Sequence, residues 1–553
     1  MNRSIPSDPE WLEKIVSAAQ KMIAIIGILL LLPVQMLAGP AILEFIAVAT
    51  AGKAIAGEIP KETIKGVPAG KTELPETMAF GVRDFVRLVM EKNERIAFQG
   101  SEWAISREGV KGARAIFEPA LVSSINYQED KRRNTIQEFV SQSSAREFQE
   151  RSRNYQAAVE GLVPTGARLR MGYTLKDFSN SIEDRYGVDQ ESQTVFGASI
   201  TQPLLKGGGV KATIAGIEVA QADAEIAFQN YKAQAMRVVS EAIASYWDLY
   251  LAREKYRIRK ESAENASEIL RENRVRVKTG KMAETEVLEA EAGLALRRSL
   301  VSDAQQNIVY AKNRIRSYFS SSAAVEKADI QPTDSPHPVE AKQDFADSLS
   351  RAFKHRADYL ASRKKIERED IRMVFAENQR WPQLDLKGSY NMNGLTETPR
   401  SSWNDAWERD YETWYLGIEL RIPLGGDRKS RSELEATRQR KKQALLELKA
   451  MEVSLANDTD TAIKGVENVW EQARQYAGIV EMNRRLLEAE NAKFKAGKSS
   501  SRLLLEREEE LNKAKEAEME SLVRYRKSLL QLEMAEGTVL ANQGIEVSVG
   551  DPK

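Results

Sequence analysis

The stretch Pro382-Gln383-Leu384-Asp385-Leu386-Lys387-Gly388-Ser389-Tyr390-Asn391-Met392 alternates large apolar residues with polar ones. Leu384, Leu386, Tyr390 and Met392 share one side of a period of two; Asp385, Lys387, Ser389 and Asn391 share the other. A returning run repeats the pattern, with Trp414, Leu416, Ile418, Leu420 and Ile422 set against Tyr415, Gly417, Glu419 and Arg421. Successive side chains of an extended chain point to opposite faces, so each run specifies a strand with one apolar and one polar face. Each is about ten residues long, the length of a tilted strand crossing a bilayer. Alternation by itself suits a half-buried soluble sheet equally well. Aromatic residues near the strand ends (Trp381, Trp403, Trp407, Tyr411, Trp414 and Tyr415) tilt the reading towards a membrane, where such residues form interfacial girdles.

The same landmarks occur earlier in the chain. Arg114 to Leu121, running on to Tyr127, matches Asn378 to Leu384 and on to Tyr390, with Leu two residues and Tyr eight residues after Pro in both. Upstream, Val89 to Asn93 lies over Ala352 to Arg356 without a gap. Downstream, Ile200-Thr201-Gln202-Pro203-Leu204 followed by Gly207 matches Arg421-Ile422-Pro423-Leu424-Gly425. Val277-Lys278-Thr279-Gly280-Lys281 then matches Phe494-Lys495-Ala496-Gly497-Lys498. Landmarks recurring in one order indicate a duplication, with copies over 78–320 and 343–540. A linker over 51–77 precedes them, a Pro-rich linker over 321–342 (Pro332, Pro336, Pro338) separates them, and 541–553 forms a tail.

Within each copy, residues 80–117 and 343–380 read as helices ahead of the strands. The first copy shows weaker strands, carried by Leu121, Ile125 and Tyr127 and then by Phe196, Ala198 and Ile200. Pro203 and Pro423 end the returning strands, where a ladder donor is no longer needed. Two strands per copy are too few to close a barrel, and the raw edges of an open sheet must be paired in lipid. The stretch from Asp130 to about Gln193 reads as an elaborated loop with a polar helical part, then Pro164-Thr165-Gly166 between two strand-like runs.

Long helices follow. Ala224, Phe228, Tyr231, Ala235, Val238, Ala242, Ser245, Leu249, Ala252 and Tyr256 keep the three-then-four spacing of a coiled-coil seam. Beyond Gly280 a second seam runs through Val287, Ala290, Leu294, Arg297, Val301, Ala304, Ile308, Ala311, Ile315 and Tyr318, with Arg297 its one misfit. The second copy repeats this less cleanly, through Leu448, Leu455, Ala462, Val469 and Tyr476. A continuous helix from Val210 to Thr279 would reach roughly 100 Å at 1.5 Å per residue.

Composition narrows the function. The chain has 553 residues, 81 basic and 81 acidic, so it lacks the net basic footprint of a nucleic-acid binder. Charged residues make up 29%, too many for a helical membrane bundle. With no cysteine and only His337 and His355, disulfides, thiolate metal sites and Cys or His catalysis have almost nothing to work with. Neither histidine has partners at metal-ligand spacing. Gly207 to Gly209 followed by Lys211 lacks the spacing of a phosphate loop and reads as a strand-to-helix turn. No catalytic, metal or cofactor site is expected. At the N-terminus, Lys14 and Lys21 precede the apolar run Met22 to Leu32, Pro33 breaks it, and Ala38 offers a small-residue cleavage site. Residues 1–50 therefore read as a secretory signal region, although Asp8, Glu10 and Glu13 are untypical. A single membrane anchor is the alternative, against which stand the interruptions at Pro33 and Pro40.

The order of helix, Pro-x-Leu strand, loop, strand ending in Pro-Leu and glycines, then a long helical hairpin turning at Gly occurs twice, and it resembles the TolC-like outer-membrane efflux family. The resemblance covers about 78–540. It implies a mainly α protein with a membrane β part. Three protomers would each give four strands to a twelve-stranded β-barrel in the outer-membrane lipid, joined to a long periplasmic α-helical coiled-coil barrel. A periplasmic adaptor and an inner-membrane pump are the implied partners, and substrates pass unchanged through the channel of a tripartite efflux or type I secretion system. A secreted or membrane-anchored coiled-coil scaffold without a pore explains the seams but not the recurring strands.

The resemblance also implies site residues. The hairpins turn at Gly280 and Gly497, at the periplasmic tip, and the strand-to-helix turns lie at Pro203 and Gly207 and at Pro423 and Gly425. Acidic residues six and nine positions after the tip glycine line the family's constriction; here these are Glu286 and Glu289 in the first copy, and Leu503 and Glu506 in the second. A threefold ring of carboxylates would favour cations, while a solvated helix face would carry the same acids. The family closes its tip through a Tyr three before the second glycine and an Arg two after it. This chain has Phe494 and Ser499 there, leaving Arg502 or Arg507 as substitutes.

Overall fold

The computed structural model describes residues 77–141, 146–181, 187–280, 282–319, 329–337, 340 and 343–547. The signal region and the linker over 51–76 lie outside the described residues. In chain order the first copy runs β1 (Thr77–Phe80), α1 (Val82–Lys92), α2 (Glu94–Arg114), β2 (Ala120–Arg133), α3 (Ile136–Ser141), β3 (Glu147–Leu162), β4 (Arg168–Asn180) and β5 (Glu191–Pro203). The helical hairpin follows as α4 (Val210–Lys278) and α5 (Glu284–Arg316). After β6 (Asp329–Pro332) the second copy runs α6 (Phe345–His355), α7 (Ala357–Asn378), β7 (Gln383–Thr396), α8 (Pro399–Glu408) and β8 (Glu412–Arg421). It ends in α9 (Arg428–Lys495), α10 (Ser501–Glu536) and the short α11 (Val539–Asn542).

Among the described residues two compact units arise from these elements, a sheet unit within 112–217 and 372–435 and a helical unit within 77–111, 218–371 and 436–547. In the sheet unit six antiparallel strands lie in the order β2-β3-β4-β5-β7-β8. Register pairs fix the faces. Ser123, Ala157, Tyr173, Phe196 and Met392 lie side by side across the sheet, so Leu121, Ile125, Tyr155, Val159, Met171, Leu175, Ile200, Leu386, Leu416 and Ile418 share one apolar face. The opposite face carries Asn126, Gln156, Arg170, Thr174, Ser199, Lys387, Asn391 and Glu419. Helix α8 lies over one end of the apolar face. Its Trp403 meets Tyr173 edge-on at 5.4 Å, Trp407 meets Phe196 at 5.3 Å, and the Ser402 hydroxyl donates to Thr194 Oγ1.

The second copy contributes the two expected strands. The first contributes four, correcting both the count of two strands per copy and the reading of 130–193 as a loop. Two reasons hid β3 and β4. Their distal halves are charged on both faces (Glu147 to Asn154, Lys176 and Asp177), so only Tyr155, Ala157 and Val159 and then Leu169, Met171, Tyr173 and Leu175 alternate. Pro164-Thr165-Gly166 also reads as loop chemistry, but it forms a tight turn between strands in which Gly166 N–H donates to Val163 O at 2.8 Å. β8 has the expected ten residues, while β7 has 14 and β3 has 16. Among the described residues no helix is long and apolar enough to cross a membrane.

In the helical unit the predicted helices over 80–117 and 343–380 are each broken once, at positions that the repeat superimposes. Asn93 takes an extended conformation (φ −81°, ψ 122°), and so does Arg356 (φ −71°, ψ 114°). The Pro-rich linker is partly structured: β6 pairs in parallel with β1, from Thr77↔Asp329 to Phe80↔Pro332. Asp329 accepts hydrogen bonds from Arg253 at 2.9 Å and from Lys312. The α4 seam is buried as expected, with Ala235, Val238, Ala242 and Leu249 at 0% exposure. Val239, Tyr246 and Trp247 are buried too, which widens the seam into a core with Phe85, Val86, Val89, Ile315 and Ile330. The described part of the tail, 541–547, is not separate either, since Ile545 and Val547 pack against that core.

Candidate functional site at the hairpin turns

Both hairpins turn at the predicted glycines, with φ of +67° at Gly280 and +71° at Gly497. A Cβ at either would meet nothing within 4 Å, so the left-handed backbone, not crowding, selects glycine there. The turns close in similar ways: Gly280 N–H donates to Val277 O at 2.9 Å and Gly497 N–H to Phe494 O at 3.0 Å.

The three candidate acids divide by environment. Glu286 is partly buried, and its carboxylate accepts the Ser501 N–H at 2.9 Å, so it caps the first turn of α10 from the other hairpin. Asn273 completes this link, donating to Ser501 Oγ at 2.7 Å and to Glu286 O at 3.3 Å. Glu289 and Glu506 are exposed. The structure thus makes Glu286 a brace between the two turns and leaves the other two acids on the surface.

The positions at which the family closes its tip are also occupied in a definite way. Phe494 is 3% exposed, with the Arg276 guanidinium 4.8 Å above its ring. Ser499 donates to Glu490, which also pairs with Lys493 at 3.2 Å; the Ser499 bond leads in holding the Glu490 carboxyl below its ordinary range. Arg507 pairs with Glu510 at 2.7 Å, and Arg502 is exposed.

One buried cluster lies along the same hairpins. Arg297, the seam misfit, donates to Ser262 Oγ at 3.1 Å and to Leu505 O at 2.8 Å, and faces Glu508 at 3.7 Å. Asn265 donates to Glu508 at 2.9 Å. Burial pushes the Glu508 carboxyl up, and Asn265 and Arg297 only partly offset it. Nearby, Arg259 bridges Glu509 at 3.0 Å and Glu516 at 2.8 Å.

The strand-to-helix turns are geometric. Pro203 closes β5 opposite Asp385. Gly207 (φ +78°) donates to Asn378 Oδ1 at 2.7 Å, and Asn378 Nδ2 reaches Leu205 O and Gly208 O at 3.2 and 3.3 Å. At the second turn Pro423 O accepts from Gly426 N–H at 3.0 Å, and the left-handed glycine is Gly426 (φ +74°), not Gly425. Sequence reading missed Asn273 and Asn378, whose partners lie far along the chain. Among the described residues no group of His, Cys, Asp or Glu could hold a metal ion. His337 contacts Ser335 Oγ at 3.2 Å.

Comparison with known proteins agrees with this architecture. The family described as outer membrane efflux protein matches residues 102–320 and 348–538, one block in each copy. Among individually curated proteins none matches significantly. The outer membrane channel CmeC of Campylobacter jejuni shares 15% identity, with a TM-score of 0.58 over 82% of this chain and 85% of that one. The outer membrane protein VceC of Vibrio cholerae shares 13%, with a TM-score of 0.57 over 82% of this chain and 96% of that one. The open state of the MtrE outer membrane channel of Neisseria gonorrhoeae shares 14%, with a TM-score of 0.55 over 82% and 88%.

Proposed function

The chain belongs to the outer membrane efflux protein family, and from that premise we propose that it is the outer-membrane exit duct of a tripartite efflux system. The observation that carries this reading is the twofold occurrence of strand pair and helical hairpin, matched by the family over both copies. Its family and fold are those of channels rather than enzymes. The substrate crosses unchanged, and the work is done upstream by an inner-membrane pump joined to the duct by a periplasmic adaptor. Residues 1–50 serve as the export leader, cut near Ala38, and the two copies over 78–320 and 343–540 form the duct.

The duct is a homotrimer. Among the described residues β2 and β8 are the two edges of the sheet, each paired on one side only. Both carry exposed apolar residues: Leu121 and Ile125 on β2, and Trp414, Leu416 and Ile418 on β8. A chain cannot leave such edges open in lipid, and pairing β2 of one copy with β8 of the next seals them. The helices also expose apolar side chains suited to neighbours, among them Leu288, Leu296 and Tyr310 on α5 and Met482 and Leu486 on α9.

At the hairpin tips Glu289 and Glu506, repeated three times, form the carboxylate ring, and Glu286 holds the two turns in register while adding charge. Such a ring concentrates cations in the constriction and slows their exit. Cell fractionation tests the main reading: the protein should pellet with outer membrane and run as a detergent-resistant trimer. Recovery as a water-soluble monomer would refute it. Chemical cross-linking in cells should recover an inner-membrane pump. Glu506→Ala and Glu289→Ala should each reduce cation block in a planar bilayer, and unchanged currents would remove the ring.

A further inference from the structure

Four strands per subunit is what the family resemblance implies, but this chain has six in one uninterrupted sheet. The extra pair, β3 and β4, stands between β2 and β5 and is laddered on both sides. β2 meets β3 through 14 consecutive residue pairs, from Ala120↔Glu160 to Arg133↔Glu147. β4 meets β5 from Arg168↔Thr201 to Phe178↔Glu191. Two observations make the hairpin part of the wall. The first is phase: Tyr155, Ala157 and Val159 on β3, with Leu169, Met171, Tyr173 and Leu175 on β4, continue the apolar face of the neighbouring strands. Asn154, Gln156, Arg170 and Thr174 continue the polar one. A hairpin lying outside the wall has no need to keep that phase, since a register slip of one residue would invert every side chain.

The second is anchorage. The turn joining β3 to β4 is bonded to the strand-to-helix turn at the same end of the sheet. Thr165 O accepts from Gly209 N–H at 3.0 Å and from Gln202 Nε2 at 3.1 Å, and Thr165 Oγ1 donates to Gln202 Oε1 at 2.9 Å. Ala167 is 1% exposed, and a Cβ on Gly166 would come within 2.6 Å of Gly207 O. The hairpin is locked to the β5 turn at its base.

We propose that the exit barrel of this protein closes from eighteen strands, six per subunit, with β2 of one copy paired to β8 of the next, and is correspondingly wider than a twelve-stranded duct. This rests on the trimeric exit-duct reading above. Barrel diameter grows nearly in proportion to strand number: for strands about 4.8 Å apart and tilted about 40°, eighteen give a backbone diameter of about 36 Å, against about 24 Å for twelve. The polar face, with Gln156, Arg170 and Thr174 from the added hairpin, lines the enlarged lumen. The mouth therefore admits bulky hydrophilic solutes, while selection stays at the helical tips.

The chain has no cysteine, so introduced thiols report without background. Ser124→Cys with Gln156→Cys joins register partners on β2 and β3, and Thr174→Cys with Val195→Cys joins partners on β4 and β5. The full-length protein is oxidised in outer membranes, extracted as trimer, denatured and treated with a maleimide mass tag. Both pairs should resist tagging, and single-particle images of the trimer in lipid discs should show a ring about 1.5-fold wider than a twelve-stranded one. Trimers whose thiols take two tags, or whose ring has the twelve-strand diameter, would overturn the eighteen-strand barrel and leave the exit duct standing. Absence of any outer-membrane trimer would instead overturn the exit-duct reading, and this inference with it.

Discussion

At Arg297 a residue that breaks a pattern turns out to hold it together. Its guanidinium sits in an otherwise apolar seam, 5% exposed, and satisfies Ser262 and the Leu505 carbonyl while facing the buried Glu508. Removing one partner of a buried pair leaves the other charged and unpaired, so Arg297→Ala should cost about 3–5 kcal/mol, read by denaturant unfolding followed through helical circular dichroism. Arg297→Met combined with Glu508→Leu should recover most of that loss, because no charge is then stranded. Two carboxylates of the helical unit, Asp329 on β6 and Glu508 on α10, should respond to pH in opposite senses. Burial raises Asp329, but the bonds from Lys312, Gln331 and Arg253 outweigh it and hold the group far below its ordinary value. Its stabilisation is therefore present above the unfolded pKa of about 4 and lost as pH falls below it. Glu508 is raised, so the folded state keeps its proton more readily; that contribution is full below the unfolded value of about 4.3 and is lost as pH rises from there through the raised folded one. Asp329→Asn should thus flatten the acid limb of a plot of melting temperature against pH. Glu508→Gln should gain on the wild type as pH rises above about 4; a constant offset would contradict the assignment. The seam exposed Arg297 as anomalous in the sequence. Its partner carbonyl, 208 residues away, could not be read there, because periodicity is local and this contact joins two hairpins.

At the scale of elements, the duplication was legible and the helix breaks were not. The gap-free match of Val89 to Asn93 with Ala352 to Arg356 placed both breaks on equivalent residues, yet the two copies build the break differently. In the first, Asn93 is 2% exposed; its Oδ1 accepts from Arg95 and Ile96 N–H at 3.0 and 3.2 Å, and its Nδ2 donates to Tyr318 O at 2.9 Å. In the second, Arg356 binds Asp358 at 3.0 Å and Asp458 at 2.9 Å, and Asp358 accepts the Tyr359 N–H. Only the first is a side-chain cap that also satisfies a buried carbonyl. Asn93→Ala should therefore cost about 2–3 kcal/mol, one part for the lost cap and one for the orphaned Tyr318 carbonyl. Arg356→Ala should cost about 1 kcal/mol or less, since one of its partners is half exposed. Unfolding midpoints of the two variants compare them directly, and equal losses would show that the copies are held alike. Strand number escaped sequence reading for a related reason. The alternation of β3 and β4 covers only the half of each strand beside their turn, and the charged halves mask it. The strong strands β7 and β8, alternating throughout their length, were read correctly down to their faces.

For the whole molecule, the decisive question is which side of the sheet meets lipid, and one strand supplies the control. On β8, Leu416 lies on the apolar face and Tyr415 on the polar one, and within a single chain the two are similarly exposed, at 67% and 56%. Packing inside the subunit therefore gives no reason for arginine to be worse at one than at the other. A bilayer does, because a lipid-facing cation near the midplane costs about 2–4 kcal/mol while a lumen-facing one stays in water. Leu416→Arg should accordingly deplete assembled trimer in the outer-membrane fraction, and Tyr415→Arg should assemble near wild-type yield. Trp403 and Trp407 on α8 sharpen the expectation, since they pack on Tyr173 and Phe196 of the same apolar face, and aromatic residues are enriched at membrane interfaces. If both arginine variants assemble equally, the apolar face is covered by protein and not by lipid, and β8 does not stand in a barrel wall.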